Sequence, residues 1–146
     1  MSRNTGTGQV LEKMILPALK KGGYNFKEQA RVGDKPNGRA HKIDVLIKDN
    51  GKNILLSLKW QQTNGTAEQK VPFEIINLLY AFENNEIEKA YLVLGGTDND
   101  SKKGVDGWTL RKWYLSNGLS KYINYKNKII LMKLEEFVVM ANQRKL

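Results

Sequence analysis

The segment Ile43–Trp60, IDVLIKDNGKNILLSLKW, decides the fold of this chain. Two strongly apolar runs flank Asn50-Gly51, and Asn-Gly is the strongest short-range signal for a two-residue type I′ turn. If these two residues form the turn, the numbers of paired residues sum to 101, and Asp44 lies opposite Ser57. The segment therefore predicts an antiparallel hairpin with a defined register.

Two charged residues, Asp44 and Lys59, stand in this hairpin at positions that a core would normally exclude. Side chains alternate between faces along a strand, so Ser57, Lys59 and Gln61 share one face, and Asp44 joins them from the neighbouring strand. Lys59 is then a diagonal neighbour of Asp44, about 7–8 Å away at the backbone. A surface ion pair, worth about 0–1 kcal/mol, is the ordinary alternative. The apolar neighbours favour a catalytic platform instead.

The composition indicates one basic domain over residues 1–146. The chain has 146 residues, 40% of them hydrophobic, which is enough for one ordinary core. Its 24 Lys+Arg against 15 Asp+Glu give a net charge of +9, which favours nucleic acid as a partner over an anionic membrane surface. The absence of cysteine excludes disulfides and thiolate metal sites. No membrane span or signal peptide is expected, which predicts a cytoplasmic protein.

The order of the predicted elements is helix, three strands, helix and strand, followed by further helical and strand segments. We expect Pro17 to kink or end the first helix and Pro72 to occupy the first position of the second helix. This order predicts an α/β fold around a mixed sheet. The expected helices are 8–21, one beginning at 72, 108–115 and one beginning near 134; the expected strands are 24–32, 42–48, 53–61, 90–94 and 128–133.

The hairpin contains residue types that the hydrolysis of a phosphodiester needs. Mg²⁺ can neutralise the phosphate and activate water, and it usually takes only one or two protein carboxylates as ligands. Asp44 supplies one carboxylate, and the ammonium group of Lys59 can orient the attacking water or stabilise the developing charge. A second carboxylate is expected close by.

At these residues the chain resembles the PD-(D/E)XK nuclease superfamily, which includes many restriction endonucleases, the archaeal Holliday-junction resolvases and some homing endonucleases. The matching residues are Ile43-Asp44 at the end of one strand and Ser57-Leu58-Lys59 on the next, within about residues 6 to 95. The resemblance implies a restriction-endonuclease-like αβββαβ core, with a central mixed sheet flanked by helices. It also implies a Mg²⁺-dependent DNA endonuclease, in which Mn²⁺ can substitute.

Two positions depart from the motif of the superfamily. Ile43 replaces the usual proline, a change that the superfamily commonly tolerates, and Ser57 replaces the second acid. A subset of restriction enzymes that cut CCGG-type sites has a similar Ser/Thr-x-Lys and takes the acid from the following helix. Glu74 follows Lys59 after 14 intervening residues, one more than in those enzymes, and Glu68 after eight is the rival. The sequence leaves the choice between these two glutamates open.

The resemblance also implies roles for residues around the motif. Leu58 would give its backbone carbonyl to the metal. Glu12, preceded by Gly8 as in the resolvase branch, would bind the metal directly or through water. Gln61 has no role from the resemblance; it shares the face of Lys59 and could orient water, phosphate or a ligand, although a structural role is the more common one for such a residue. The ordinary alternative for Glu12 is a solvated helix residue, and for Glu74 an acid that complements a helix N-terminus.

Basic residues before the catalytic strand and near Trp108 are the expected DNA contacts. They are Arg31, Lys35, Arg39, His41, Lys42, Arg111 and Lys112. The predicted protein is a site-specific restriction or homing endonuclease of bacterial, archaeal or phage origin that cuts double-stranded DNA as a homodimer or higher homo-oligomer. The alternatives are a structure-selective Holliday-junction resolvase acting on branched DNA and, because of Ser57, a non-catalytic DNA-binding module of the same fold.

Overall fold

A five-stranded sheet is the frame of the molecule. The computed structural model describes residues 6–63 and 65–146, and within them the strands lie in the order β1-β2-β3-β4-β5. The strands are β1 (Asn25–Asp34), β2 (Ala40–Asp49), β3 (Lys52–Gln61), β4 (Lys89–Gly96) and β5 (Ile129–Lys133). Strands β1, β2 and β3 pair antiparallel, whereas β3, β4 and β5 pair parallel. The sheet is therefore mixed, as the sequence predicts.

Helices cover both faces of this sheet. They are α1 (Gly6–Val10), a π-helical turn (Leu11–Ile15), α2 (Leu16–Lys21), α3 (Lys70–Asn84), α4 (Arg111–Leu115) and α5 (Leu134–Asn142), with 3₁₀ turns at Ser101–Lys103 and Gly118–Lys121. The α/β class with helices on a central mixed sheet is confirmed. Among the described residues, no helix is long and apolar enough to cross a membrane.

The hairpin between β2 and β3 has the register that Asn50-Gly51 predicts. Val45 pairs with Leu56 and Asp49 with Lys52, so the paired numbers sum to 101. The two turn residues have φ angles of 52° and 77°, and a type I′ turn requires positive φ at both. The hairpin thereby fixes which residues of β2 and β3 lie side by side at the other end.

Two apolar layers sandwich the sheet. The first-helix layer joins α1, the π-helical turn, α2 and α5 to one face of the sheet, through buried residues such as Ile15, Leu19, Val45, Leu56 and Phe137. The α3 layer joins α3 and the segment 108–131 to the other face, through residues such as Leu55, Ile75, Leu92, Trp108 and Tyr125. Burial of these side chains at about 25 cal/mol per Å² of apolar surface is the main stabilising contribution.

The first helix passes through Pro17 and does not end there, so the second of the two expected outcomes, an early end, is wrong. Proline lacks an amide hydrogen, and its ring clashes with the carbonyl four residues before it in a regular helix. Here the π-helical turn Leu11–Ile15 precedes Pro17, and α2 then continues to Lys21. A π-helical turn widens the helix by one residue per turn, so the irregularity falls where the proline disturbs the hydrogen-bond ladder.

Two other helix boundaries differ from the prediction. Helix α3 begins at Lys70, so Pro72 is its third residue, still within the turn whose amides lack helical partners. Helix α4 begins at Arg111, because Trp108 is buried before it and donates its indole N–H to the carbonyl of Gly95 at 2.7 Å.

We expect Gly51→Ala to lower the free energy of unfolding by about 1 kcal/mol, because alanine is strained at the positive φ of this turn. Urea denaturation measures the loss. Lys48→Ala, an exposed strand substitution, is the control and should stay within about 0.5 kcal/mol of wild type. Equal effects of the two substitutions would contradict the turn assignment.

Candidate active site

The strands β2 and β3 separate at Asp44. Their pairing ends at Val45 and Leu56, one residue short of Asp44 and Ser57. Beyond that point the carboxylate of Asp44 accepts a hydrogen bond from the backbone N–H of Leu58 at 2.7 Å. A side chain thus replaces backbone pairing, and it holds a carboxylate in the fork between the strands.

Asp44 is also the residue at which the hairpin changes its inward face. Val45 packs in the first-helix layer, whereas Ile43 packs in the α3 layer, although strict alternation would put both on one side. On β1, Gln29 lies opposite Asp44, between the pairs Glu28–Val45 and Ala30–Ile43, and it has a φ of 49°. The outer part of the β1–β2 hairpin, residues 30–43, is therefore turned towards α3.

This change of face brings His41 to α3. His41 lies two residues before Ile43, is only 2% exposed, and has its Nε2 atom 3.3 Å from Oε1 of Glu74. The other oxygen of Glu74, Oε2, accepts a hydrogen bond from the ammonium group of Lys59 at 3.0 Å. The structure thus brings the carboxylate of Glu74 to Lys59.

Glu74 is ionised in this environment. Burial alone would raise the pKa of its carboxyl group, but the hydrogen bond from His41 and the charge of Lys59 together outweigh burial and lower the pKa to about 2. The carboxylate is therefore a permanent negative charge between two nitrogen donors over the whole physiological pH range.

A cleft of about 570 Å³ opens beside this cluster. Its walls come from the fork, from the loop after β3 and from the beginning of α1: Gly6, Thr7, Asp44, Leu58, Lys59, Trp60, Gln61, Gln62, Thr63, Gly65, Thr66, Ala67 and Lys70. Asp44 and Lys59 are both in this wall, as the hairpin register predicts. Glu74 is not among these wall residues, and it contacts the wall through Lys59.

Gln61 and Glu68 hold a loop in place. Gln61 is 4% exposed; its amide oxygen accepts from the N–H of Glu68 at 3.0 Å, and its amide nitrogen donates to the carbonyl of Gly107 at 3.2 Å. The carboxylate of Glu68 accepts from the N–H groups of Thr109 and Leu110 at 2.7 and 3.2 Å. These bonds tie the segment before α4 to the loop after β3.

The expected DNA contacts fall into two groups. Arg31, Arg39 and Lys42 are exposed and Lys35 is partly exposed, all on the outer β1–β2 hairpin, whereas His41 in the same hairpin is buried. Arg111 is 8% exposed, with its guanidinium on both oxygens of Asp98 at 2.9 and 3.0 Å, while the adjacent Lys112 is exposed. The hydrogen bond from Arg111 lowers the pKa of the Asp98 carboxyl group.

Glu12 lies on the π-helical turn and is exposed. It is not among the residues of the cleft wall. Among residues 6–63 and 65–146, no three His, Asp or Glu side chains form a cluster able to hold a metal ion by themselves.

The oxygen donors at the cleft nevertheless fit Mg²⁺. This ion takes oxygen ligands, usually one or two carboxylates, and completes its shell with water and phosphate oxygens. Asp44, the carbonyl of Leu58 and Glu74 are all oxygen donors at or beside the cleft. Each oxygen of an ionised carboxylate offers about two lone-pair positions, so the two contacts of Glu74 leave acceptor capacity for an ion.

The sequence reasoning missed several residues of the cleft. Thr63, Gly65, Thr66 and Lys70 belong to a segment that we expected only to be a polar loop before the helix. Their position in the sequence indicates the site, because a segment that connects Lys59 on a strand to Glu74 on a helix must pass close to both. The contact between His41 and Glu74 had no local signal, since it joins residues 33 positions apart.

Comparisons with known proteins identify one superfamily. The sequence model of the PD-(D/E)XK nuclease superfamily domain matches residues 3–145. No curated protein matches the chain. A crystal structure of a protein of unknown function, AF1548, is 12% identical and has a TM-score of 0.44; the match covers 82% of this chain and 54% of that one, so this chain spans about half of that protein's length.

We expect Glu74→Gln to lower stability by up to about 3 kcal/mol at neutral pH, since the folded protein holds this carboxyl at a pKa of about 2 instead of 4.5. A depressed pKa stabilises the folded state above the unfolded pKa, and the contribution disappears as pH falls through the folded pKa. Urea unfolding of both proteins between pH ~7 and ~3 should show the gap narrowing below pH ~4.5. A gap of constant size would contradict the ionised pairing.

Proposed function

The chain belongs to the PD-(D/E)XK nuclease superfamily, and from that premise we propose that it is a Mg²⁺-dependent endonuclease that hydrolyses phosphodiester bonds in DNA. Asp44, Glu74 and the backbone carbonyl of Leu58 would hold the metal, and Mn²⁺ would substitute for Mg²⁺. Bound there, the ion would neutralise the phosphate and lower the pKa of the attacking water. Glu12, which is exposed on the π-helical turn, would assist the metal directly or through water.

The observation that carries the proposal is the contact of Glu74 with Lys59 beside Asp44. The motif position for the second acid is Ser57, which is 3% exposed and offers a hydroxyl where a carboxylate is expected. Glu74 returns a carboxylate to the same lysine from α3, with 3.0 Å between Nζ and Oε2. A nuclease site that has lost one acid from its strand thus has a replacement from the neighbouring helix.

Each side chain has a separate task in this mechanism. The fork bond from Leu58 fixes the direction of the Asp44 carboxylate. Lys59 is 22% exposed, so its ammonium can leave Glu74 and reach into the cleft to hold the attacking water or the phosphate charge. Lys70, a further cation in the cleft wall, is available to a phosphate oxygen.

The outer β1–β2 hairpin is the proposed DNA-binding arm. It carries Arg31, Lys35, Arg39 and Lys42, all at least partly exposed. His41 joins the same arm to Glu74, so phosphates bound along it would lie next to the cleft. Lys112 is exposed at α4 and completes the set, whereas Arg111 is engaged with Asp98 and is not included.

We propose a restriction or homing type of reaction, in which a homodimer or higher homo-oligomer cuts both strands of double-stranded DNA with one active site per chain. A Holliday-junction resolvase of the same mechanism would differ only in requiring branched DNA. The specific observation that favours a non-catalytic binding module is Ser57 at the acid position.

We expect Asp44→Asn and Lys59→Ala each to lower cleavage of duplex DNA at least about 100-fold, because each removes a group that acts on the reacting phosphate or water. Gel assays with Mg²⁺, Mn²⁺ or EDTA measure cleavage, and mobility shifts measure binding. Lys48→Ala, far along β2 and exposed, is the matched charge control and should cut normally.

Cleavage by Lys59→Ala at the wild-type rate would overturn the mechanism. Binding without cleavage by the wild-type protein, on linear, supercoiled and branched DNA alike, would favour the non-catalytic module. Cleavage restricted to branched substrates would favour the resolvase.

A carboxylate swap tests whether Glu74 or Glu68 is the second acid. We expect Glu74→Ser to abolish cleavage and the double variant Ser57→Glu with Glu74→Ser to restore part of it, because the acid returns to its strand position beside Lys59. Glu68→Gln should lower stability by about 1–3 kcal/mol and leave the chemistry in place, because a neutral amide oxygen accepts from the N–H groups of Thr109 and Leu110 more weakly than a carboxylate. Loss of cleavage in folded Glu68→Gln, with activity in Glu74→Ser, would reverse the assignment.

A further inference from the structure

His41 is a buried histidine that the proposed mechanism has not yet used. It is 2% exposed, so it cannot reach a phosphate as the sequence suggested. Its Nδ1 atom is buried and has no hydrogen-bond partner among the described residues. A buried polar atom without a partner costs about 1–3 kcal/mol, so this ring nitrogen lowers the stability of the folded protein. The contact of its other ring nitrogen with Glu74 offers a reason.

The chemistry of the pair fixes the direction of that contact. Glu74 is a carboxylate that already accepts from the ammonium group of Lys59, so we assign the hydrogen of the His41 ring to Nε2, which donates it to Oε1 over 3.3 Å. Lys59 donates to the other oxygen of the same carboxylate. The two oxygens of Glu74 therefore have different partners: a buried ring on β2 and a flexible, partly exposed ammonium on β3.

These two partners differ in what they can do during a reaction. Lys59 has to turn towards water or phosphate, and its long side chain has four rotatable bonds for that movement. If Lys59 were the sole partner of Glu74, the carboxylate would lose its orientation whenever the lysine left. The ring of His41 is buried, which restricts its movement.

Strand β2 carries both His41 and Asp44, three residues apart. Asp44 is fixed by the N–H of Leu58, and Glu74 by His41, so one strand sets the positions of both acids. The change of inward face at Asp44 is what allows His41 to point at α3. The change of inward face thus serves the two carboxylates together.

We propose that His41 is a positioning residue that anchors Oε1 of Glu74, so that Oε2 can exchange Lys59 for the divalent metal ion. This inference rests on the proposed function in taking Glu74 as a metal ligand. Removing the hydrogen-bond partner of a metal ligand lowers the affinity for the metal about 10–100-fold. The effect of His41 must therefore pass through Glu74 and appear in metal binding before any nucleic acid is present.

The test is Mn²⁺ binding to the full chain without nucleic acid, measured by the electron paramagnetic resonance signal of free Mn²⁺. His41→Leu removes the donor, and His41→Gln keeps an N–H at the position of Nε2. We expect His41→Leu to weaken Mn²⁺ binding about 10-fold and His41→Gln to stay close to wild type. In the Glu74→Gln background, His41→Leu should cause no further loss. The Mg²⁺ concentration needed for half-maximal cleavage should rise in His41→Leu while the rate at saturating Mg²⁺ is largely kept.

A second pair of variants keeps the test decisive if His41→Leu fails to fold. His41→Asn is close in size to His41→Gln but too short to reach Glu74, so it should weaken Mn²⁺ binding where the glutamine variant does not. If folded His41→Leu and His41→Asn bind Mn²⁺ with wild-type affinity, the role of His41 is overturned. It is also overturned if His41→Leu weakens Mn²⁺ binding by the same factor in the Glu74→Gln background. Wild-type protein that cleaves no nucleic acid but shows the expected Mn²⁺ pattern would refute the proposed function and leave this inference standing.

Discussion

The hydrogen bond from the backbone N–H of Leu58 to the carboxylate of Asp44 is the contact on which the site depends. It lies just beyond the last paired residues of the two hairpin strands. It therefore gives the N–H of Leu58 an acceptor where the partner strand provides none. A charged acceptor makes this bond stronger than a neutral one. The bond therefore keeps the fork open and aims a carboxylate at the cleft.

The second constraint is the placement of Glu74 between His41 and Lys59. A buried carboxylate without partners would be driven towards its neutral form, whereas two donors keep this one ionised with a pKa of about 2. The acid is supplied by a helix and not by the strand that holds Lys59. The geometry of the site consequently depends on how α3 packs on the sheet, and the buried contacts of Ile75 and Leu78 are part of the site's construction.

The sequence predicts those parts of the fold that are local. Asn50-Gly51 fixes the hairpin register, and the alternation along β3 puts Lys59 on the face that meets α3. The roles of Gln61, Glu68 and Arg111 could not be predicted, because their partners lie 7 to 46 positions away along the chain and are not set by local pattern. His41 precedes the predicted strand 42–48 and is expected to contact DNA, whereas β2 begins at Ala40 and buries this side chain.

The central claim is that Asp44 and Glu74, from different elements, hold one metal ion beside Lys59. Anomalous diffraction from crystals soaked in Mn²⁺ tests this claim most directly. The account predicts one strong peak in contact with oxygens of both Asp44 and Glu74 and with the carbonyl of Leu58. A peak on Asp44 with Glu74 still bound to both His41 and Lys59 and out of reach of the ion would contradict it.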